Sequence, residues 1–368
     1  MITIDGAQMS GSGTIVRHAV ALAALLGRPV RIINARQRRR EPGLRQQHVM
    51  SVHACAALCG ATVDGVHVGS HAFDCAPGSH IAGGSFEWDI GTAGSATMLA
   101  LSVLPVAYFA AAPVRARITG GLFQDFASSP FHMQRVLAPR LRSMGADVSL
   151  EMKRPGYAPG GGGIIELSVS PSRQGLNALH LSAPGGASVV NGIALSSHLS
   201  ERRVSERMAS ACEEQIRGAG MSCAIDRASD ATAVHAGACL AIWAKASTGG
   251  WFGADRAGKF GRSSEEINMS RFKGWRAEPL TDRAALCREA TRAAGQFVRV
   301  QADGGGSVQR ISSGASNSCG SAGTTRIWLC TRRIPGALPA PRSAASRCDQ
   351  DATVPVRVTT SPVTATSM

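Results

Sequence analysis

Gly60-Ala61-Thr62-Val63 returns 85 residues later as Gly145-Ala146-Asp147-Val148, and this recurrence decides the fold class. Working outward from it, His48 returns as His132, and Pro29-Val30-Arg31 as Pro113-Val114-Arg115. Residues 11–68 therefore lie over residues 94–153 at an offset of 84 or 85, the signature of an internal duplication. Each copy has one grammar: a Gly/Ser/Thr-rich turn, an apolar helix, a strand, a polar loop, a second helix, then Gly-Ala and a strand. In the second helix of the first copy, Leu44, His48, Val52, Cys55 and Cys59 share a face at helical spacing. Gly60 stands where a left-handed residue ends such a helix. Residues 95–111 are apolar almost all round, which predicts a buried helix. Strands are predicted at residues 3–5, 30–34, 114–119 and 164–169. The unit is α+β, with helices laid on one face of a sheet.

Past the second copy the pattern changes. Pro155-Gly156-Tyr157-Ala158-Pro159 followed by Gly160 to Gly163 predicts a loop or hinge. Residues 200–217 read as an amphipathic charged helix stopped at Gly218-Ala219-Gly220, and residues 239–244 as a strand. Three segments follow: two repeated modules over 1–174, an inserted small α/β unit over 175–268, and a remnant of different character over 269–368. Residues 301–368 hold 18 Ser and Thr with neither helical nor alternating patterning; no Lys follows Lys273 and no His follows His235. That composition reads as disorder or, the reading preferred here, as GC-rich DNA translated out of frame from near residue 268.

A length of 368 residues with 44% hydrophobic content allows two or three domains and excludes a wholly disordered or collagen-like chain. No uncharged apolar run reaches the length of a membrane span. The strand-like start shows no signal peptide, so a cytoplasmic location is expected. Ten cysteines without a CxxC pair predict buried thiols rather than a zinc or redox centre, and no metal-ligating set is read. The net charge of +14 is unevenly placed. Half of it belongs to residues 273–368, and residues 28–45 alone carry seven arginines against Glu41. The anionic partner implied by such a balance is thus expected at one loop.

Three elements favour anions. Asp5-Gly6-Ala7-Gln8-Met9-Ser10-Gly11-Ser12-Gly13 leads from a strand into a helix, where free amides and small residues suit a phosphate. Arg36, Arg38, Arg39 and Arg40 follow, with Gln47 and His48 one turn into the next helix; guanidinium forks match phosphate oxygens. Gly91-Thr92-Ala93-Gly94-Ser95 opens the buried helix as a second such start. Read alone, each also fits a tight turn, a solvated loop or a structural histidine.

In this order the segments resemble the RNA 3′-terminal phosphate cyclase family. The matching pieces are Asp5 to Arg17, Arg36 and Arg39 with Pro42-Gly43-Leu44 and Gln47-His48, residues 91–95, Gly120-Gly121, residues 154–163 and Gly253-Ala254-Asp255-Arg256-Ala257-Gly258-Lys259. The resemblance implies repeated modules, each of two helices on a four-stranded sheet, with a small α/β domain inserted before a third. It implies a ligase-type reaction in which ATP, through an adenylylated histidine, activates an RNA 3′-phosphate that closes to a 2′,3′-cyclic phosphate. A divalent metal, Mg or Mn, is implied as well. Arg17, Arg36, Arg39, Gln47 and His48 would line the site; Gly91, Thr92, Gly94 and Ser95 would face the nucleotide. Three positions depart from the pattern: Ser10 where a glutamate is expected, Glu41 for a lysine, and Leu101 for a glutamine. The nucleophilic histidine belongs to the third module, and nothing after His235 supplies it. Impaired cyclase activity is therefore expected, with a non-catalytic RNA-binding protein or an inactive frameshifted product as alternatives.

Overall fold

The computed structural model describes residues 1–172, 175–181, 186–187, 189–259, 263–264 and the strand Arg326–Ile327. Apart from that strand, the remnant expected over 269–368 lies outside the described residues. The first module runs β1 (Ile2–Asp5), α1 (Gly13–Leu26), β2 (Val30–Ile33), α2 (Gln46–Cys59), β3 (Thr62–Asp64) and β4 (Phe73–Ala76). Its sheet has the order β1-β2-β4-β3, with β1 parallel to β2 and β4 antiparallel to both of its neighbours. The second module runs β5 (Gly84–Asp89), α3 (Ala96–Tyr108), β6 (Val114–Gly120), α4 (Pro130–His132), a π-helical turn (Met133–Leu137), α5 (Ala138–Ser143), β7 (Asp147–Arg154) and β8 (Gly163–Ser170). The order β5-β6-β8-β7 and the strand senses repeat those of the first sheet. The duplication read from the sequence is thus a duplicated topology, and the class is α+β. Strands β4 and β5 are additions to those the sequence predicts.

The change of offset from 84 to 85 has a local cause. His48 and His132 stand 84 apart, Gly60 and Gly145 stand 85 apart, and the π turn lies between His132 and Gly145. A π turn closes over i to i+5 and so takes up one extra residue without breaking the helix. Helix starts and stops follow side-chain chemistry. Ser12 Oγ accepts from the Thr14 amide and Ser95 Oγ from the Met98 amide. Gly27 and Gly60 end α1 and α2 in the left-handed region. Leu44 falls before α2 rather than inside it, because its amide and carbonyl bond Ser70 and Gly69 across the loop.

One core joins the modules. α3 packs on both α1 and α2, and Val16, Val20, Val52, Leu58, Leu99, Val103, Ile118 and Leu167 are all buried in it. Removing this apolar surface from water, at about 25 cal/mol per Å², stabilises the packing of the two modules on each other. The outer faces of the sheets carry exposed ion pairs, Arg31–Asp74 on the first and Arg117–Glu166 on the second, each worth little.

The rest of the described chain forms β9 (Leu179–His180), β10 (Val189–Ser197), α6 (Val204–Gly218), β11 (Ser222–Asp230), β12 (Gly237–Lys245), β13 (Trp251–Ala257) and β14 (Arg326–Ile327). β9 pairs with β14, and the larger sheet has the order β11-β10-β12-β13. On one of its faces Val190, Ala194, Leu240 and Ile242 pack with Met208, Cys212 and Ile216 of α6. On the other, Cys239 and Ala241 join the main core. Gly253 lies so close to Val136 that a Cβ there would come within 2.5 Å of it. The six described cysteines are free, and all but Cys223 are buried. Burial pushes the Cys75 and Cys212 thiols up to about 12. No helix among the described residues is long and apolar enough to cross a membrane.

Candidate functional site

The site forms where the ends of β1 and β2 deliver two loops to the starts of α1 and α2. Asp5 Oδ1 accepts from the Ala7 amide at 2.9 Å and from Asn34 Nδ2 at 3.1 Å, tying the glycine-rich turn to the end of β2. Arg38 Nη1 donates to the Met9 carbonyl at 2.9 Å, so the arginine loop folds back over that turn. Arg36, in the left-handed region at φ 57°, donates through Nη1 to the carbonyls of Glu41 (2.9 Å) and Gly43 (2.5 Å). It closes its own loop. Arg45 pairs with Glu41 at the surface, and Arg39 is exposed beside them.

The centre is Arg17 with His48. Arg17 on α1 is 7% exposed and His48 on α2 is 2% exposed. The Arg45 amide donates to His48 Nδ1 at 3.1 Å. His48 thus supplies from its third helical position the reciprocal cap that a Glu or Gln often makes. Burial, then Arg17 and Arg36, hold the His48 imidazole down to about 2, so it is neutral at physiological pH. With Nδ1 accepting, the single ring proton of the neutral imidazole sits on Nε2. Nε2 lies 3.5 Å from Arg17 Nη2. Both are then donors, so neither gives the other the acceptor it needs. Arg17 Nε is also buried and has no hydrogen-bond partner among the described residues. An acceptor with several oxygens, such as a phosphate, satisfies this arrangement.

The glycines of the first turn are accounted for by protein atoms. A Cβ on Gly13 would come within 1.9 Å of His48 Nε2, and one on Gly11 within 2.5 Å of the Arg38 side chain. The sequence reading, which took them as room for a phosphate, missed both neighbours. Only the pairing of a glycine at a helix start with a histidine on the next helix could have hinted at them.

Gln47 faces the second module. Its Oε1 accepts from the Ser95 amide at 2.8 Å. The amides of Gly91, Gly94, Ala96 and Met98 are bonded to Asp89, Thr92, Gly121 and Ser95. The structure therefore brings Arg17 and Arg36 to His48, turns Gln47 away to the Ser95 amide and against Gly94, and leaves Arg39 exposed. The described residues hold no group of three His, Cys, Asp or Glu side chains able to fix a metal ion.

Two depressed histidines give a pH signature. Burial, then Arg17, lowers His18 to about 4, and His48 lies lower still. Both are neutral when folded and titrate near 6.5 when unfolded. Their stabilising effect is complete above 6.5 and is lost as pH falls, through about 4 for His18 and about 2 for His48. Urea midpoints measured from pH 7.5 to 4 should fall with pH. The slope should become shallower in His18→Gln and His48→Gln; an unchanged slope in both variants would refute this assignment.

A family model described as RNA 3′-terminal phosphate cyclase matches residues 8–338. The chain belongs to the RNA 3′-terminal phosphate cyclase family. Among similar curated proteins, the RNA 3′-terminal phosphate cyclase of Ectopseudomonas mendocina is 42% identical over 184 residues, 50% of this chain and 52% of that protein. The cyclase of Caldivirga maquilingensis is 35% identical over 272 residues, 73% and 76% of the two chains. That of Hyperthermus butylicus is 36% identical over 297 residues, 79% and 82%. The chain thus spans about half the length of the first of these cyclases and three quarters or more of the other two. Arg17, Arg36, Gln47 and His48 lie inside the region that the cyclase model matches.

Proposed function

We propose that this chain is an RNA 3′-terminal phosphate cyclase whose phosphate-holding half is built and whose nucleotide-transfer half is impaired. The observation that carries the first part is the convergence of His48 Nε2–H and the buried, underbonded Arg17 guanidinium. A terminal phosphate would place one oxygen between them. Arg36 adds field from its closed loop, and exposed Arg39 would meet the RNA backbone at the rim. His48 acts here as a neutral donor, since its other nitrogen is held by the Arg45 amide. Cations and donors fixed before the substrate arrives stabilise charge on a transferring phosphate without reorganising.

In the cyclisation itself, the phosphate first receives AMP from ATP with loss of pyrophosphate. The vicinal 2′-hydroxyl oxygen then bonds to phosphorus, AMP leaves, and the hydroxyl proton passes to solvent. This chain's residues hold the phosphate in that step. Gly91, Thr92, Gly94 and Ser95 are proposed as a wall on the ATP side, since most of their amides are already bonded. No step is assigned to Mg or Mn, because the described residues offer no ligand cluster for one. The second part of the proposal rests on the sequence, in which no histidine follows His235. A cytoplasmic setting with RNA 3′ ends as partners completes the reading.

Two measurements test it. A 3′-phosphorylated oligoribonucleotide should bind about tenfold tighter than its 3′-hydroxyl form, and more weakly as salt rises; equal binding would sink the phosphate assignment. Labelled ATP should leave little acid-labile AMP on the protein. A stoichiometric adduct would show that nucleotide transfer is intact. Because the composition of residues 301–368 also suits a shifted reading frame, resequencing around codon 268 should be done on the same clone.

A further inference from the structure

We infer that Asp255, on β13, is a positioning residue for the Gln47–His48 turn, acting from the third sheet through a buried polar chain. Asp255 Oδ2 accepts from the Ser129 amide at 2.6 Å. Ser129 is the N-cap of α4 and is buried. The neighbouring Ser128 carbonyl accepts from Thr97 Oγ1 at 2.7 Å. Thr97 Oγ1 lies 2.9 Å from Ser95 Oγ. Thr97 has one hydroxyl proton and gives it to Ser128, so it accepts the proton of Ser95. Ser95 Oγ keeps a lone pair for the Met98 amide at 3.2 Å, and the Ser95 amide donates to Gln47 Oε1. Every donor direction is thereby fixed, from β13 through the start of α3 to the start of α2.

Ser95 and Thr97 are buried, so neither can exchange its partner for water without opening the core. α3 is also pinned at its start by the Ala96 amide on the Gly121 carbonyl. A shift of the Ser128–Ser129 peptide therefore reaches Gln47 through the buried hydroxyls of Thr97 and Ser95. Gln47 precedes His48 in the first turn of α2, where the Arg45 amide holds the ring. The sheet beyond the two modules thus has a lever on the phosphate-holding turn. This inference rests on the phosphate reading only for its ligand arm below.

The test compares Asp255→Ala, Asp255→Asn and Gln47→Ala in the full chain. Without ligand, the Ser95 amide should exchange with solvent about tenfold faster in Asp255→Ala, and the 15N signals of the His48 ring should move. Asp255→Asn keeps an acceptor oxygen and should restore both. With ligand, a 3′-phosphorylated oligoribonucleotide should bind Asp255→Ala about tenfold more weakly, with no further loss when Gln47→Ala is added. A purely structural role would lower the melting temperature and leave the Ser95 and His48 signals in place. Unchanged Ser95 exchange in Asp255→Ala overturns the inference whatever the RNA does, as do additive losses in the double variant. Failure of the parent chain to prefer a 3′-phosphate would instead overturn the phosphate reading, and the exchange arm would still decide this one.

Discussion

Arg17→Met should abolish discrimination of a 3′-phosphate while leaving the chain at least as stable as the parent. The two effects have one origin. Arg17 is 7% exposed, its Nε has no partner among the described residues, and its Nη2 lies 3.5 Å from a ring nitrogen that also carries a proton. Burial, then Arg36, lowers the guanidinium to about 10, so it stays charged at neutral pH without the bonds that normally offset desolvation. Replacing a buried charge that lacks its full set of partners by an apolar side chain of similar length removes a desolvation cost without breaking an ion pair, so stability should hold or rise. The same charge is what a phosphate would pair with, so its removal should erase the roughly tenfold preference for the 3′-phosphate, about 1.4 kcal/mol. Thermal melting and oligoribonucleotide binding on one preparation check both. Arg17→Lys should keep part of the affinity, since a point charge remains and the two-pronged fork is lost. A strongly destabilised Arg17→Met that still prefers the 3′-phosphate would show that the guanidinium serves the fold instead.

The modules were legible because their signals are local and doubled. Gly60 and Gly145 mark the ends of equivalent helices, and Val30 and Val114 begin equivalent central strands. The equality of sheet order was not legible, since nothing local states that β4 lies between β2 and β3. Strand β5 went unread although Ser85-Phe86-Glu87-Trp88-Asp89 alternates polar and aromatic residues at strand period, with Phe86 and Trp88 on one face. That Arg17 and Arg36 would stand near His48 was legible by residue type. Their roles were not, because roles depend on who has already bonded whom. Arg36 closes its own loop, and Gln47 is engaged with Ser95. The tautomer of His48 follows from a backbone amide that no sequence pattern encodes.

The largest loss in stability, with the phosphate preference lost as well, is expected from the smallest substitution, Gly13→Ala. Helix propensity argues the other way, since Ala is favoured over Gly inside a helix by about 1 kcal/mol. Position 13 is the first residue of α1, with Ser12 as its cap. Contact geometry decides. The added Cβ would lie 1.9 Å from His48 Nε2 and 2.4 Å from Cδ2. α1 cannot back away, because Val16 and Val20 are fully buried against the core. The imidazole must swing out, which strips the Arg45 amide of its acceptor and separates the Nε2 proton from Arg17. Overpacking of this kind costs about 1–3 kcal/mol, and the orphaned amide adds about 1 kcal/mol or more. Preference for a 3′-phosphate should disappear with the displaced donor. Adding His48→Ala to Gly13→Ala reopens the space, so stability should recover towards that of His48→Ala alone while binding stays lost, a strongly non-additive cycle. If Gly13→Ala instead melts with the parent and keeps its phosphate preference, the imidazole does not occupy that space in solution. The glycine would then return to the role its sequence first suggested, as room for the phosphate itself.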